Sequence, residues 1–372
     1  MHHTRISIPR AGLGAGVLLL ALAASAGTAT AAGPSTWTAM AGTGDATGVA
    51  ANRFYPASIT IDAGDTVTWK AAGNAHVVAF IPAGQTPPAP DSPTTLAPAG
   101  GSSFDGTALV SSGLMVPLPP GATPPPGLVG SYSLTFPTAG TYQFHCLIHP
   151  GMVGTLTVQA AGSAYPQTQA QLDATAASAA AADIATGHAL EAAYKTSVTT
   201  NADGTKTYNF AAGLGKDNIE ILRFITGKSN LRVGDSIVWT NYSSGEPHSV
   251  SFGTEPQGPA ADGPSGGSTY PASGFVSSGL FFGAPLPGSH TYRLTFTKAG
   301  TYKYFCVLHD IIGMVGSVNV TAAPVATLPP TSTAPVAASS GGSDTGLPWA
   351  LMALGLAGAV LSLGRLARRV SR

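Results

Sequence analysis

The chain repeats itself, and a repeat fixes the fold of both copies at once. Arg53-Phe54 through Trp69 aligns without a gap on Arg223-Phe224 through Trp239, and three further blocks recur in the same order. Ser111-Ser112-Gly113-Leu114 returns as Ser277-Ser278-Gly279-Leu280, Ala139-Gly140-Thr141-Tyr142 as Ala299-Gly300-Thr301-Tyr302, and Met152-Val153-Gly154 as Met314-Val315-Gly316. Shared blocks in a shared order define two homologous domains, 35–160 and 198–323. Within each copy apolar and polar residues alternate, as at Ile59, Ile61, Val67 and Trp69 or at Tyr292, Leu294 and Phe296, and blocks end in Gly-Asp or Ala-Gly turns. This is the period of half-buried strands, and it predicts an all-β chain of two tandem β-sandwiches. The Pro-rich stretches 82–98 and 117–126 read as loops.

Residues 161–197 join the copies. Ala dominates 167–195, with Gln, Leu and Glu, and Pro166 stands where a helix can begin. The composition predicts a helical linker, a semi-rigid spacer packed on one domain, with Gly187 as a candidate interruption. At the N-terminus, residues 1–32 carry Arg5 and Arg10, an apolar run and Ala29-Thr30-Ala31, the pattern of a signal peptide cleaved after Ala31 or Ala32. Residues 324–346 are rich in Pro, Ser, Thr and Gly and are expected to be disordered. Residues 347–364 carry no charge and precede Arg365, Arg368, Arg369 and Arg372. They are expected to form a single transmembrane helix, with 365–372 as a cytoplasmic tail and both domains extracellular or periplasmic. A removable lipid-anchor or cell-wall sorting signal is the competing reading of that segment.

Charge is sparse. The 372 residues include 17 Lys+Arg and 17 Asp+Glu, beside 47 Gly and 30 Pro. This excludes a coiled coil and offers no basic footprint for nucleic acid. The balance is uneven along the chain, however. Domain 35–160 holds Arg53 and Lys70 against Asp45, Asp62, Asp65, Asp91 and Asp105, whereas 198–323 balances eight against eight. A basic redox partner steered to the first domain is the expectation that follows.

The only two cysteines, Cys146 and Cys306, occupy equivalent places in the repeat. Each domain therefore owns one thiol, followed by a histidine and a methionine: His149 and Met152, or His309 and Met314. Upstream, just after the Trp strand, each copy has one more histidine, His76 or His248. One thiolate, two imidazoles and a thioether are the donor set of a blue-copper electron-transfer site, trigonal with a weak axial methionine. Zinc is more often offered a second Cys or a carboxylate.

At these residues both repeats resemble the cupredoxin family, the small blue copper proteins of plastocyanin, azurin and amicyanin type. The Cys146–Met152 segment resembles the short amicyanin loop and Cys306–Met314 the plastocyanin loop. The resemblance implies an eight-stranded Greek-key sandwich in each domain. It also implies two type 1 copper ions, one held by His76, Cys146, His149 and Met152 and the other by His248, Cys306, His309 and Met314. Electrons then enter or leave through the exposed edge of His149 or His309, with Leu114, Met115, Val116 and Leu118, and Leu280, Phe281 and Phe282, as candidate docking patches.

Two other readings compete with an electron carrier. A two-domain copper oxidoreductase, of nitrite reductase or small multicopper oxidase type, is suggested by His145 directly before Cys146. It would need His145, His188 and His290 to converge, since no paired His-x-His motif is present. Extracytoplasmic copper storage or delivery is the third reading.

Overall fold

The computed structural model describes residues 33–323, apart from Pro120, Lys228 and Ser229. The expected signal peptide, Pro-rich linker, transmembrane helix and tail lie outside the described residues. Among the described residues, no helix is long and apolar enough to cross a membrane.

The first domain contains β1 (Thr36–Gly44), β2 (Val49–Tyr55), β3 (Ser58–Asp62), β4 (Thr66–Ala71), β5 (Ala79–Phe80), β6 (Val110–Ser111), β7 (Ser131–Thr135), β8 (Gly140–His145) and β9 (Val153–Gln159). Strands β2-β1-β4-β7 make one layer and β3-β9-β8-β5-β6 the other. After the linker helix (Gln169–Ala193) the second domain adds β10 (Ser197–Thr200), β11 (Lys206–Lys216), β12 (Ile219–Ile225), β13 (Leu231–Arg232), β14 (Ser236–Tyr242), β15 (Ser251–Phe252), β16 (Pro264–Ser265), β17 (Thr269–Tyr270), β18 (Val276–Ser278), β19 (Thr291–Phe296), β20 (Gly300–Phe305) and β21 (Val315–Thr321). Its layers are β12-β11-β14-β19-β17, with β10 beside β11, and β13-β21-β20-β15-β18-β16. Among the described residues, nine and twelve strands replace the expected eight, because several pairings are only two residues long and β10 is an addition.

Each sandwich closes on an aromatic core. Alternation on β4 buries Val67 and Trp69 while Lys70 stays exposed. Trp69 packs against Phe80, Phe136 and Phe144, and Trp239 against Phe252 and Tyr304, at ring separations of 5.4–6.4 Å. Such contacts bury large apolar areas and prefer these tilted geometries.

The two sandwiches are not beads on a spacer. β2 and β12 are the same strand of the two repeats, and they pair antiparallel: Ala51 with Ile219, Ala50 with Glu220, Val49 with Ile221. Since Val49, Ala50 and Ala51 are the repeat equivalents of Ile219, Glu220 and Ile221, the register is self-complementary about Ala50 and Glu220, as in a two-fold interface. One ten-stranded sheet therefore runs through both domains.

The linker helix covers this seam, touching both domains rather than one. Thr168 and Gln171 form a capping box at its start. Toward the first domain Asp183 accepts from Arg53 (3.1 Å) and Tyr55 (2.5 Å), and His188 meets Asp45 at 2.7 Å. Toward the second, Glu191 pairs with Arg223. Gly187 does not interrupt the helix. A Cβ there would sit 2.3 Å from Val49 Cγ1 and 3.2 Å from Ile219 Cγ2, so the bare backbone is what lets the helix reach both strands.

Candidate metal centres

Each site is assembled at one end of its sandwich. His76 follows β4 and is fixed by paired main-chain bonds with Met115 (2.9 and 2.8 Å), while Cys146 follows β8. Cys146 N–H donates to Met152 O (2.9 Å) and Met152 N–H to His149 O (3.1 Å), closing the loop that carries the other donors. In the second domain His248 pairs in the same way with Phe281 (3.0 and 2.9 Å), and Cys306 N–H donates to Met314 O (3.1 Å). The segment between His309 and Met314, four residues against two in the first domain, contains a three-residue 3₁₀ turn, Asp310–Ile312, ended by Gly313 at φ 98°.

The structure brings His76, Cys146 and His149 together, and likewise His248, Cys306 and His309, all buried. In the first site Nδ1 of His76 lies 3.1 Å from Nδ1 of His149, and Cys146 Sγ lies 4.0 and 3.4 Å from them. In the second the three separations are 3.2, 3.9 and 3.5 Å. A triangle with either set of sides has its centre about 2.1 Å from every corner, the length of a bond from a first-row metal to imidazole nitrogen and slightly short of one to thiolate. The donor chemistry and the spacing fit a single copper ion. Met152 and Met314 are buried in the same core clusters as their cysteines.

Electrostatics prepare the donors. Burial pushes the Cys146 thiol up, but the charge of His149 and hydrogen bonds from both histidines outweigh it and bring the pKa down to about 5. Cys306 is held well below its usual range against burial by hydrogen bonds from His248 and His309. Main-chain N–H groups of Val77 and Ser249 also point at the two sulfurs, each at 3.3 Å. A thiolate, not a thiol, is the metal ligand.

With Nδ1 inward, each ring turns Nε2 outward to an anchoring partner. His76 reaches Ala72 O (3.2 Å) and His248 reaches Ser243 Oγ (2.8 Å). Such outer contacts fix ring orientation and tautomer. The two loop histidines share a partner: His149 Nε2 donates to Glu246 Oε1 at 2.8 Å, and His309 Nε2 lies 3.6 Å from Glu246 Oε2. Burial lowers both rings' pKa values, but the carboxylate and the thiolate outweigh it, raising His149 to about 10 and His309 to about 9.

This arrangement corrects the expectation of exposed histidine edges. His149 and His309 are 4% and 3% exposed, and both Nε2 atoms face the buried Glu246, which reaches His149 from the other domain. Met115 and Phe281 are likewise buried as backbone partners of His76 and His248 rather than forming docking surface. The spare histidines have separate surroundings: His145 lines a surface groove with Tyr142 and Gln143, His188 meets Asp45, and His290 Nδ1 donates to Phe282 O at 2.8 Å. In the first domain's acid surplus, Asp62 and Asp65 are buried, and Asp65 accepts from Trp37 Nε1 (2.9 Å) and Ser35 N (2.6 Å).

Two features escaped the sequence reading. Gly42 and Gly213, at φ 85° and 81°, stand at the bulges of β1 and β11, and a Cβ at either would lie 2.0 or 2.1 Å from Nε2 of His76 or His248. The recurrence of Ala41-Gly42-Thr43-Gly44 as Ala212-Gly213-Leu214-Gly215 was the available signal. Glu246 was visible only as the acid in Gly245-Glu246-Pro247-His248, where the first copy reads Gly73-Asn74-Ala75-His76.

The family model of copper binding proteins, plastocyanin/azurin family, matches residues 210–321. The plastocyanin of Sambucus nigra is 34% identical over 99 residues, 27% of this chain and 88% of that protein. The amicyanin of Paracoccus versutus is 28% identical over 96 residues, 25% of this chain. The chain spans 56% of that amicyanin's length and 63% of another matching relative's. The solved oxidised plastocyanin of Dryopteris crassirhizoma is 27% identical, with 33% of this chain and 99% of that one covered, at a TM-score of 0.20. The chain belongs to the plastocyanin/azurin family of copper-binding proteins. Copper binding goes with that family by its description.

Proposed function

We propose that the protein is an electron carrier with two type 1 copper centres, one per domain, cycling single electrons between Cu(I) and Cu(II). The observation that carries this reading is the pair of buried thiolate–bis-imidazole triangles, each sized for one ion and each next to a buried methionine. A donor set fixed by the fold before metal arrives changes little between oxidation states, which suits electron transfer rather than storage or delivery. In this reading residues 347–364 tether the domains to the outer face of a membrane. A redox protein docks on the apolar rim of the second loop, where Ile311 is 87% and Val315 60% exposed. Asp91 and Asp105 remain on the first domain's surface to steer a basic partner.

The test is the visible spectrum of the oxidised, copper-loaded full chain. A thiolate–Cu(II) bond gives intense absorption; a colourless copper-loaded chain would sink the electron-transfer reading. Electron paramagnetic resonance on the same sample addresses the oxidoreductase alternative, which predicts a further, type 2 signal.

A further inference from the structure

Glu246 is 3% exposed, and every polar group on its carboxylate is a donor. Asn52 Nδ2 (2.7 Å), Asn74 Nδ2 (2.8 Å) and His149 Nε2 (2.8 Å) meet Oε1, while Oε2 faces His309 Nε2 at 3.6 Å. A buried carboxylate is costly unless such donors surround it. Three of these four come from the first domain, although Glu246 belongs to the second. The repeat equivalent of Glu246 is Asn74. The local two-fold thus brings the same position of both copies together, and the sequence places one acid and one amide there. Two acids would repel, and two amides would leave neither ring a charge.

We infer that Glu246 is a single counter-charge shared by both metal centres, a positioning residue that joins His149 and His309 and makes the two sites a coupled pair. A cation in either site is stabilised by the same negative charge, through the ring that ligates it. The more positive oxidised ion gains more than the reduced one. Asn52 and Asn74 hold the carboxylate in place from the first domain. The inference rests on the electron-carrier reading only for its redox readout.

The test uses the full chain and two measurements. Apo protein is titrated with Cd²⁺, followed by thiolate absorption in the ultraviolet, for wild type and Glu246→Gln. We expect both sites to weaken together, roughly 10- to 100-fold, the range for losing an outer contact of a metal-bound histidine. In copper-loaded protein both midpoint potentials should rise in the same substitution. Asn74→Ala leaves the charge but removes one donor holding it, and should move both sites the same way by a smaller factor; it keeps the test open if Glu246→Gln does not fold. Weakening of one site alone, or of neither, overturns the inference. Coupled Cd²⁺ affinities in a chain that stays colourless with copper would uphold the coupling and reject the blue-copper reading.

Discussion

Asn74 and Glu246 occupy the same position in the two repeats and hydrogen-bond to each other, Nδ2 to Oε1, at 2.8 Å. The contact follows from strand register: pairing β2 with β12 about Ala50 and Glu220 accompanies a seam at which Asn52 and Asn74 of one sandwich meet Glu246 of the other, beside both candidate metal sites. Features shared by the copies consequently act on one site each, whereas features on the seam act on both.

Gly42 and Gly213 are features of the first kind. Gly42→Ala places a methyl 2.0 Å from Nε2 of His76 at a φ that side chains resist, costing about 1–3 kcal/mol before the ring is displaced. The variant should bind one copper per chain instead of two, measured by metal analysis, and Gly213→Ala should do the same to the other site. Unchanged stoichiometry would show that the bulge does not position the ring.

Glu220 lies on the seam, and Ser244 donates to it from both N–H (3.1 Å) and Oγ (2.6 Å). Burial, with the charge of Glu246, raises its pKa to about 7 from 4.5. An acid raised on folding retains its proton longer in the native state, so its contribution to stability is greatest below 4.5, declines through the window 4.5 to 7, and is flat above it. The loss amounts to about 3 kcal/mol at most. Denaturant unfolding of Glu220→Gln should show the variant gaining on wild type by up to that amount as pH rises through this window. A difference independent of pH would contradict the shift.

Much of both sites was legible because chemistry-bearing residues recur in register. Chance could supply one buried Cys with a neighbouring His and Met, but not the same set twice beside matching histidines. What was not legible depends on how the copies dock. Asn52 and Glu246 are 194 positions apart and meet only because β2 and β12 pair. The exposed histidine edge was the right expectation for a lone sandwich and wrong for this one, since both Nε2 atoms turn to Glu246 at the seam. Composition made the Ala-rich linker a helix, yet not which surface it covers: that depends on Gly187 lying over both Val49 and Ile219.

Gly187 therefore offers a test of the docked arrangement that leaves the donors untouched. Gly187→Leu forces a side chain into Val49 and should destabilise the chain by about 1–3 kcal/mol in chemical denaturation, the usual range for overpacking. Copper stoichiometry should remain two. A stability equal to wild type would mean that the helix does not pack on the seam.

The most direct measurement is the visible absorbance and copper content of the full chain with Cys146→Ser and Cys306→Ser made singly. Two type 1 centres predict that wild type binds two coppers and that each variant keeps one, with about half the blue absorbance. Loss of all colour in either variant, or two coppers bound without colour in wild type, would contradict the account.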